Sequence, residues 1–152
     1  MKTVRFAVLG TAKIATKVGR AIHQAEGAEL AVIASRELGK AQAWLEEHHA
    51  QEAVAGYDVA LQRSDVDAVY IPLPPSLHKE WTIKAAEAGK HVLCEKPTAM
   101  NAIEAREMLA ACRSNGVQFL DGTMWPHTPR AAAMKKVIQE GRLGKLRRVV
   151  SA

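Results

Sequence analysis

Aromatic residues are scarce in this chain of 152 residues. Phe, Trp and Tyr make up 5% of the sequence and do not alternate with basic side chains, which argues against a surface that stacks nucleic-acid bases. The formal net charge of +5 is spread along the chain, with one concentration between Lys135 and Arg148. We interpret this charge as a solvated face that in part serves an anionic ligand, and we expect no nucleic-acid partner.

Long apolar runs and cysteine clusters are also lacking. No run approaches the roughly 20 apolar residues of a membrane span, and the first residues lack the apolar core of a signal peptide. The two cysteines, Cys94 and Cys112, belong to no metal-spaced cluster. We therefore expect buried free thiols, no metal site, no membrane partner and a cytoplasmic location.

Short apolar runs alternate along the chain with segments of helical spacing. The first helical segment places Ile14, Val18, Ile22 and Ala25 on one side. Strands that alternate with helices imply right-handed crossovers between parallel strands. The expected fold class is α/β, a doubly wound parallel sheet of the Rossmann NAD(P)-binding type with helices on both faces. Its six strands are predicted at 4–9, 29–34, 54–55, 68–71, 91–94 and 117–120.

The first strand runs directly into a turn of small residues and then a helix. Such a turn aims backbone N–H groups and the positive end of the helix dipole at one point, which suits a pyrophosphate. The pattern G-x-G-x-x-G/A is degraded at its second glycine, where Ala12 stands. A pyrophosphate cradle and an ordinary strand-to-helix turn both explain these residues, which are Gly10, Thr11, Ala12, Lys13, Ile14 and Ala15.

The second strand ends in Ser35 and Arg36, about twenty residues beyond the turn, where a dinucleotide-binding protein reads the adenosine ribose. An acid there would bind the 2′-hydroxyl of NAD. A hydroxyl and a guanidinium, with Lys40 one turn later and no acid to repel a phosphate, favour the 2′-phosphate of NADP, with NAD still possible. The alternative is that Ser35 only caps the next helix and Arg36 is solvated.

Two further strand ends carry unusual residues. The fourth is followed by a proline-rich wall formed by Pro72, Leu73 and Pro74, against which a flat ring can rest, and His78 follows shortly after. The fifth is followed by Lys96, which can position a substrate hydroxyl or transfer a proton. A solvated loop lysine, and a capping or surface histidine, are the alternatives for these two side chains.

Three segments together resemble the glucose-fructose oxidoreductase, inositol dehydrogenase and rhizopine-catabolism (Gfo/Idh/MocA) family. They are the glycine turn at 10–15, the proline-rich segment at 70–78 and the segment 88–97, which is the most specific of the three. The likeness continues through 122–125 to 141–144. Ser35 and Arg36 are similar to the NADP-linked branch of sugar and dihydrodiol dehydrogenases.

The resemblance implies a dinucleotide cofactor, a sugar-like substrate and roles for particular residues. Lys96 would be the catalytic lysine, beside Glu95 at the nicotinamide. Pro75 departs from the pattern, since the family commonly has Asn there. The implied cofactor-binding residues are Gly10, Thr11, Ala12, Lys13, Ile14, Ser35, Arg36, Lys40, Pro72, Leu73, Pro74, His78, Glu95, Lys96, Trp125 and Arg130, the last two near the mouth of the active site.

The resemblance also implies a domain organisation. Residues 1–122 would form the NAD(P)-binding core, and residues 123–152 a helix and strand that lead into a substrate and dimerisation domain absent from this chain. The longer form would then be a homo-oligomeric oxidoreductase, of which this chain is the cofactor half. A nucleotide-binding module or sensor without chemistry is the other hypothesis, and Lys96 favours the enzyme.

Overall fold

Six parallel strands form one sheet in the order β3-β2-β1-β4-β5-β6 in the computed structural model, which describes residues 3–150. The order reverses between β1 and β4, which creates a crevice at the carboxyl ends of these strands. The doubly wound α/β fold predicted from the sequence is confirmed. The strands are β1 (Val4–Leu9), β2 (Ala28–Ser35), β3 (Glu52–Ala55), β4 (Ala68–Ile71), β5 (His91–Cys94) and β6 (Phe119–Asp121).

Helices cover both faces of this sheet, because successive strand residues point to opposite sides and both sides are apolar. One core packs the sheet against the first two helices through Ile22 and Trp44. The other core packs it against the next three helices through Leu61, Trp81 and Met108. The helices are α1 (Lys13–Gln24), α2 (Leu38–Glu47), α3 (Tyr57–Gln62), α4 (Pro75–Glu87), α5 (Ala102–Ser114) and α6 (Pro129–Gln139).

Helix α1 buries the predicted side only in part, because its buried residues include small ones that the apolar spacing did not predict. Ala15, Gly19 and Ile22 are the buried residues, and Ile14 and Val18 are only half-buried. The cause is the ring of Trp44 on α2, because a Cβ on Gly19 would lie 3.0 Å from Trp44 Cη2. Close packing of α1 therefore selects small residues.

The two cysteines are free and buried, as the sequence predicted. Burial raises the pKa of the Cys94 thiol to about 12, so its thiolate is scarce at neutral pH. Within residues 3–150 no three His, Cys, Asp or Glu side chains are arranged to hold a metal ion. None of the helices in the same range is long and apolar enough to cross a membrane.

The chain divides into two compact units after Gly122. The sheet and α1–α5 belong to the first. The second contains a short 3₁₀ turn at Trp125–His127 and helix α6, whose start is capped by the Thr128 side chain. Ala131 is its buried hydrophobic residue, whereas Met134 and Ile138 are half exposed.

Candidate functional site

A cleft of about 260 Å³ lies at the carboxyl ends of β1, β2 and β4. It brings together three segments that are far apart in the sequence, namely the glycine turn, the end of the second strand and the proline-rich wall. Nine of the residues singled out from the sequence line it, and Glu37 and Tyr57 join them. The nine are Gly10, Thr11, Ala12, Ser35, Arg36, Lys40, Pro72, Leu73 and Pro74.

The glycine turn forms the floor of this cleft. Gly10 has φ +103°, and its N–H donates to Ala34 O at 2.7 Å, which ties the end of β1 to β2. A Cβ at this position would lie 3.0 Å from Leu73 Cδ2 on the proline-rich wall. Only glycine fits both the backbone conformation and this close approach.

The start of α1 faces the same cleft without a side-chain cap. Ala12 is its N-cap residue and offers no hydrogen-bond acceptor to the first N–H groups of the helix. By contrast, the Asn101 side chain caps α5 by accepting from Ile103 N and Glu104 N. First-turn donors that no side chain satisfies, next to a glycine that clears space, fit the pyrophosphate of a dinucleotide. Lys13 and Ile14 form the first residues of this turn.

The end of the cleft that was predicted to hold the ribose combines two cations with an acid, Glu37, that was not predicted there. Arg36 is exposed and forms no ion pair with any residue in 3–150, whereas Lys40 Nζ lies 2.6 Å from Glu37 Oε1. The hydrogen bond from Lys40, and then its charge, hold the pKa of Glu37 below its ordinary value, so this carboxylate is ionised at neutral pH. The expectation of a ribose site without an acid was therefore wrong. The sequence already contains the sign of this acid, because Glu37 is the residue directly after Arg36.

Ser35 lines the cleft and also forms a hydrogen bond in the turn before α2. Its Oγ accepts from the N–H of Glu37 at 3.3 Å, just before α2 begins. The N-cap residue of α2 is Glu37, so Ser35 does not cap the helix, as the alternative expected, but bonds to the turn that precedes it. The hydroxyl hydrogen of Ser35 can still be donated to a ligand, so the two roles are compatible.

The wall opposite the glycine turn is made by the segment after β4 and by the start of α3. Pro72 and Leu73 are buried and Pro74 is exposed. Pro75 occupies the first turn of α4, where a missing N–H costs nothing. Tyr57 packs edge-on against Trp81, with ring centroids 4.9 Å apart, and turns its hydroxyl toward Gly10. Tyr57 was not among the predicted site residues, because the third strand was predicted only at 54–55 and no motif marks its carboxyl end.

His78 is fully buried, so the alternative of a surface residue was wrong. Its Nε2 lies 2.7 Å from Leu73 O, and its Nδ1 lies 3.0 Å from Pro97 O and 3.2 Å from Thr98 O. The ring thus connects the wall after β4 with the loop after β5 that carries Lys96. In this structure His78 supports the cleft from beneath and does not line it.

Glu95 is buried directly after β5 and is held by two donors. Tyr70 Oη donates to Glu95 Oε1 at 2.9 Å, and the N–H of Lys96 donates to Oε2 at 3.1 Å. Burial, and then the hydrogen bond to Glu95, raise the pKa of Tyr70 well above its usual value, so the phenol stays protonated as a donor. Gly122 packs against this carboxylate, because a Cβ there would lie 3.2 Å from Glu95 Cδ.

Lys96 follows this buried carboxylate as an exposed side chain at the carboxyl edge of the sheet. It forms no ion pair with a residue in the described part of the chain. Its backbone is anchored by the hydrogen bond to Glu95, whereas its ammonium is free to reach a ligand. This arrangement suits a group that meets a substrate.

We expect the Tyr70→Phe variant to lower the free energy of unfolding by about 1–3 kcal/mol, because the buried Glu95 carboxylate loses one of its two donors. Tyr57→Phe is the matched control, since it removes the same atom from a side chain that opens onto the cleft. Urea unfolding followed by circular dichroism measures both changes. Equal losses in the two variants would show that the Tyr70 hydroxyl contributes nothing particular.

Two of the predicted site residues follow the sheet in the sequence. Trp125 and Arg130 are exposed and belong to the second unit. His23 and His49 stack on each other with ring centroids 4.1 Å apart. His48 stacks on Trp44, and its Nδ1 lies 2.7 Å from Trp44 O. These three rings line a separate depression of about 410 Å³ beside α1 and α2.

The sequence matches known oxidoreductases over nearly its whole length. A family model described as an oxidoreductase family with an NAD-binding Rossmann fold matches residues 4–123. The chain is 38% identical over 145 residues to dTDP-3,4-didehydro-2,6-dideoxy-alpha-D-glucose 3-reductase of Actinomadura kijaniata, covering 95% of this chain and 43% of that protein. It is 32% identical over 149 residues to the scyllo-inositol 2-dehydrogenase (NADP(+)) IolU of Bacillus subtilis, covering 98% and 45%.

A solved structure shares the fold. The crystal structure of KijD10, a 3-ketoreductase from Actinomadura kijaniata in complex with NADP, superposes with a TM-score of 0.88 at 37% identity. The match covers 96% of this chain and 47% of that one. This chain therefore spans less than half the length of these relatives.

Proposed function

Because the chain belongs to the Gfo/Idh/MocA oxidoreductase family, as its sequence motifs predicted, we propose that it binds NADP as the cofactor half of an enzyme acting on a sugar or polyol. The cleft carries this proposal, since it joins an uncapped helix start, a glycine that admits a close approach and two cations at one sheet edge. The cofactor supplies hydride chemistry at its nicotinamide when bound. Binding of the cofactor, positioning of the substrate and proton transfer would be done by backbone and side-chain groups of the protein.

Backbone donors at the start of α1 would hold the pyrophosphate. The 2′-phosphate would lie against Ser35 and Arg36, where a guanidinium offers paired donors in a planar fork. Pro72, Leu73 and Pro74 would form the wall along which the cofactor extends toward the loop after β5. The NADP named for IolU and present in the KijD10 structure supports this choice.

At the nicotinamide end, Lys96 would hold the reacting oxygen of the substrate and move its proton. Glu95 would fix the backbone of Lys96 from beneath, and Tyr70 would hold Glu95 in place. Trp125 and Arg130 would stand near the substrate in the longer polypeptide. In that polypeptide, a domain after residue 152 would complete the substrate site and form the contact between subunits, and we place the protein in the cytoplasm.

We expect calorimetric titration of the 152-residue chain to show tighter binding of NADPH than of NADH. The Ala12→Asp variant should weaken both by about tenfold or more, because an aspartate at the N-cap accepts the N–H groups meant for phosphate and repels it. The same change favours the helix, so a loss of binding is not a loss of folding. Ala21→Asp, an exposed position on α1, is the control.

Unchanged affinities in Ala12→Asp would overturn the placement of the pyrophosphate, and a failure of the unaltered chain to bind either nucleotide would overturn the proposed function. The sensor hypothesis predicts the same binding, but no turnover of any sugar by the longer polypeptide.

A further inference from the structure

We propose that Glu37 sets the degree of cofactor preference by competing with the 2′-phosphate for Lys40, so that the ribose site accepts both NADPH and NADH. This proposal rests on the proposed function. It concerns an acid at the ribose end of the cleft, next to the arginine that favours the phosphate.

The geometry of the ribose site supports a competition. Glu37 and Lys40 both line the cleft, and their ion pair of 2.6 Å joins residues three apart at the start of α2. When a 2′-phosphate binds, it therefore competes with the Glu37 carboxylate for the Lys40 ammonium. If Lys40 turns to the phosphate, Glu37 is left as an unpaired carboxylate beside an anion.

The charge balance of the same residues points the same way. Arg36, Glu37 and Lys40 together carry a net charge of +1, where the two cations alone would carry +2. A phosphate monoester carries close to two negative charges at neutral pH, so it is attracted less strongly with Glu37 present. A ribose 2′-hydroxyl has the opposite preference, because it can donate to a carboxylate, the contact by which acids select NAD.

The position of Glu37 at the N-cap of α2 does not explain its contacts. Its side chain caps no N–H of the helix, and the N–H of Glu37 itself is held by Ser35 Oγ. The Glu37 carboxylate therefore contacts Lys40 and lines the cleft, and it has no capping role in the helix.

The test is a titration of the 152-residue chain and its Glu37→Gln variant with NADPH and NADH at one low ionic strength. We expect the variant to bind NADPH about two- to fivefold more tightly, the size expected for an exposed charge pair, and to bind NADH no more tightly than the unaltered chain. The gain should shrink as salt is added. Glu46→Gln, an exposed glutamate outside the cleft on the same helix, is the matched control and should bind as the unaltered chain does.

Combination with Lys40→Met tests the competition itself. If Glu37 acts by holding Lys40, the fold-increase in NADPH affinity caused by Glu37→Gln should be much smaller in the Lys40→Met background. We expect the excess over onefold to fall by at least half. An undiminished gain in that background would overturn the competition.

The failures are distinguishable. An unaltered chain that binds neither nucleotide refutes the proposed function. An unaltered chain that binds NADPH, with an affinity that Glu37→Gln leaves unchanged, refutes only the role of Glu37.

Discussion

Replacement of Lys96 by methionine is expected to reduce kcat about a hundredfold to ten-thousandfold in a polypeptide that carries the substrate half, while the dissociation constant of NADPH stays nearly unchanged. Loss of a positioned proton-transfer group has an effect of this size. Methionine keeps the length and apolar stem of lysine but cannot donate to or take a proton from the substrate. Cofactor affinity should be preserved, because the proposed pyrophosphate site lies at the start of α1 and does not include Lys96.

Steady-state kinetics and a separate NADPH titration check the two halves of this expectation. Lys17→Met, an exposed position on α1 outside the cleft, is the matched control and should leave both quantities unchanged. A fall in kcat of less than about fivefold, or a parallel collapse of cofactor affinity, would mean that Lys96 has a structural role.

Replacement of Arg36 by aspartate is expected to reverse the cofactor preference. NADPH affinity should fall about tenfold to over a hundredfold, because the change removes a charge-assisted bond to the 2′-phosphate and adds repulsion. NADH affinity should hold or rise, since an acid at the ribose accepts from the 2′-hydroxyl. Arg36 forms no ion pair within residues 3–150, so its replacement breaks no salt bridge there.

Calorimetric titrations of both nucleotides measure the reversal, and the loss of NADPH affinity should be largest at low salt. Arg106→Asp changes the net charge equally from an exposed position on α5 and controls for the general attraction of an anion to a basic chain. Equal losses in the two variants would show that Arg36 does not read the phosphate.

The sequence predicted the elements and their layers closely because these depend on local patterns. Strands β1, β4 and β5 have the predicted bounds, since prolines, glycines and short polar turns delimit their apolar runs. β6 is shifted toward the C-terminus from the predicted 117–120. Val117, the first residue of the predicted strand, lies outside β6, because its N–H donates to Cys112 O near the end of α5.

The convergence of three segments in one cleft also followed from the sequence. Parallel strands end at the same side of a sheet, so the residues after β1, β2 and β4 had to converge once the fold class was known. Gly10 and Arg36 could be predicted as site residues from their chemistry alone, because glycine permits a tight turn and a guanidinium binds phosphate. Membership of the family then followed from the motifs that those strand ends carry.

Only the tertiary structure decided which side chains are enclosed and which pairs meet. The burial of His78 depends on carbonyl groups about twenty residues away, and the contact of Tyr70 with Glu95 joins β4 to the residue after the neighbouring strand β5. Gly19 is buried because Trp44 from another helix lies over it. The periodicity of a sequence describes one helix or strand at a time, whereas these contacts depend on how several of them pack. The sequence by itself therefore determined the sheet, its helices and the cleft, and the packing of these elements determined which side chains support the cleft.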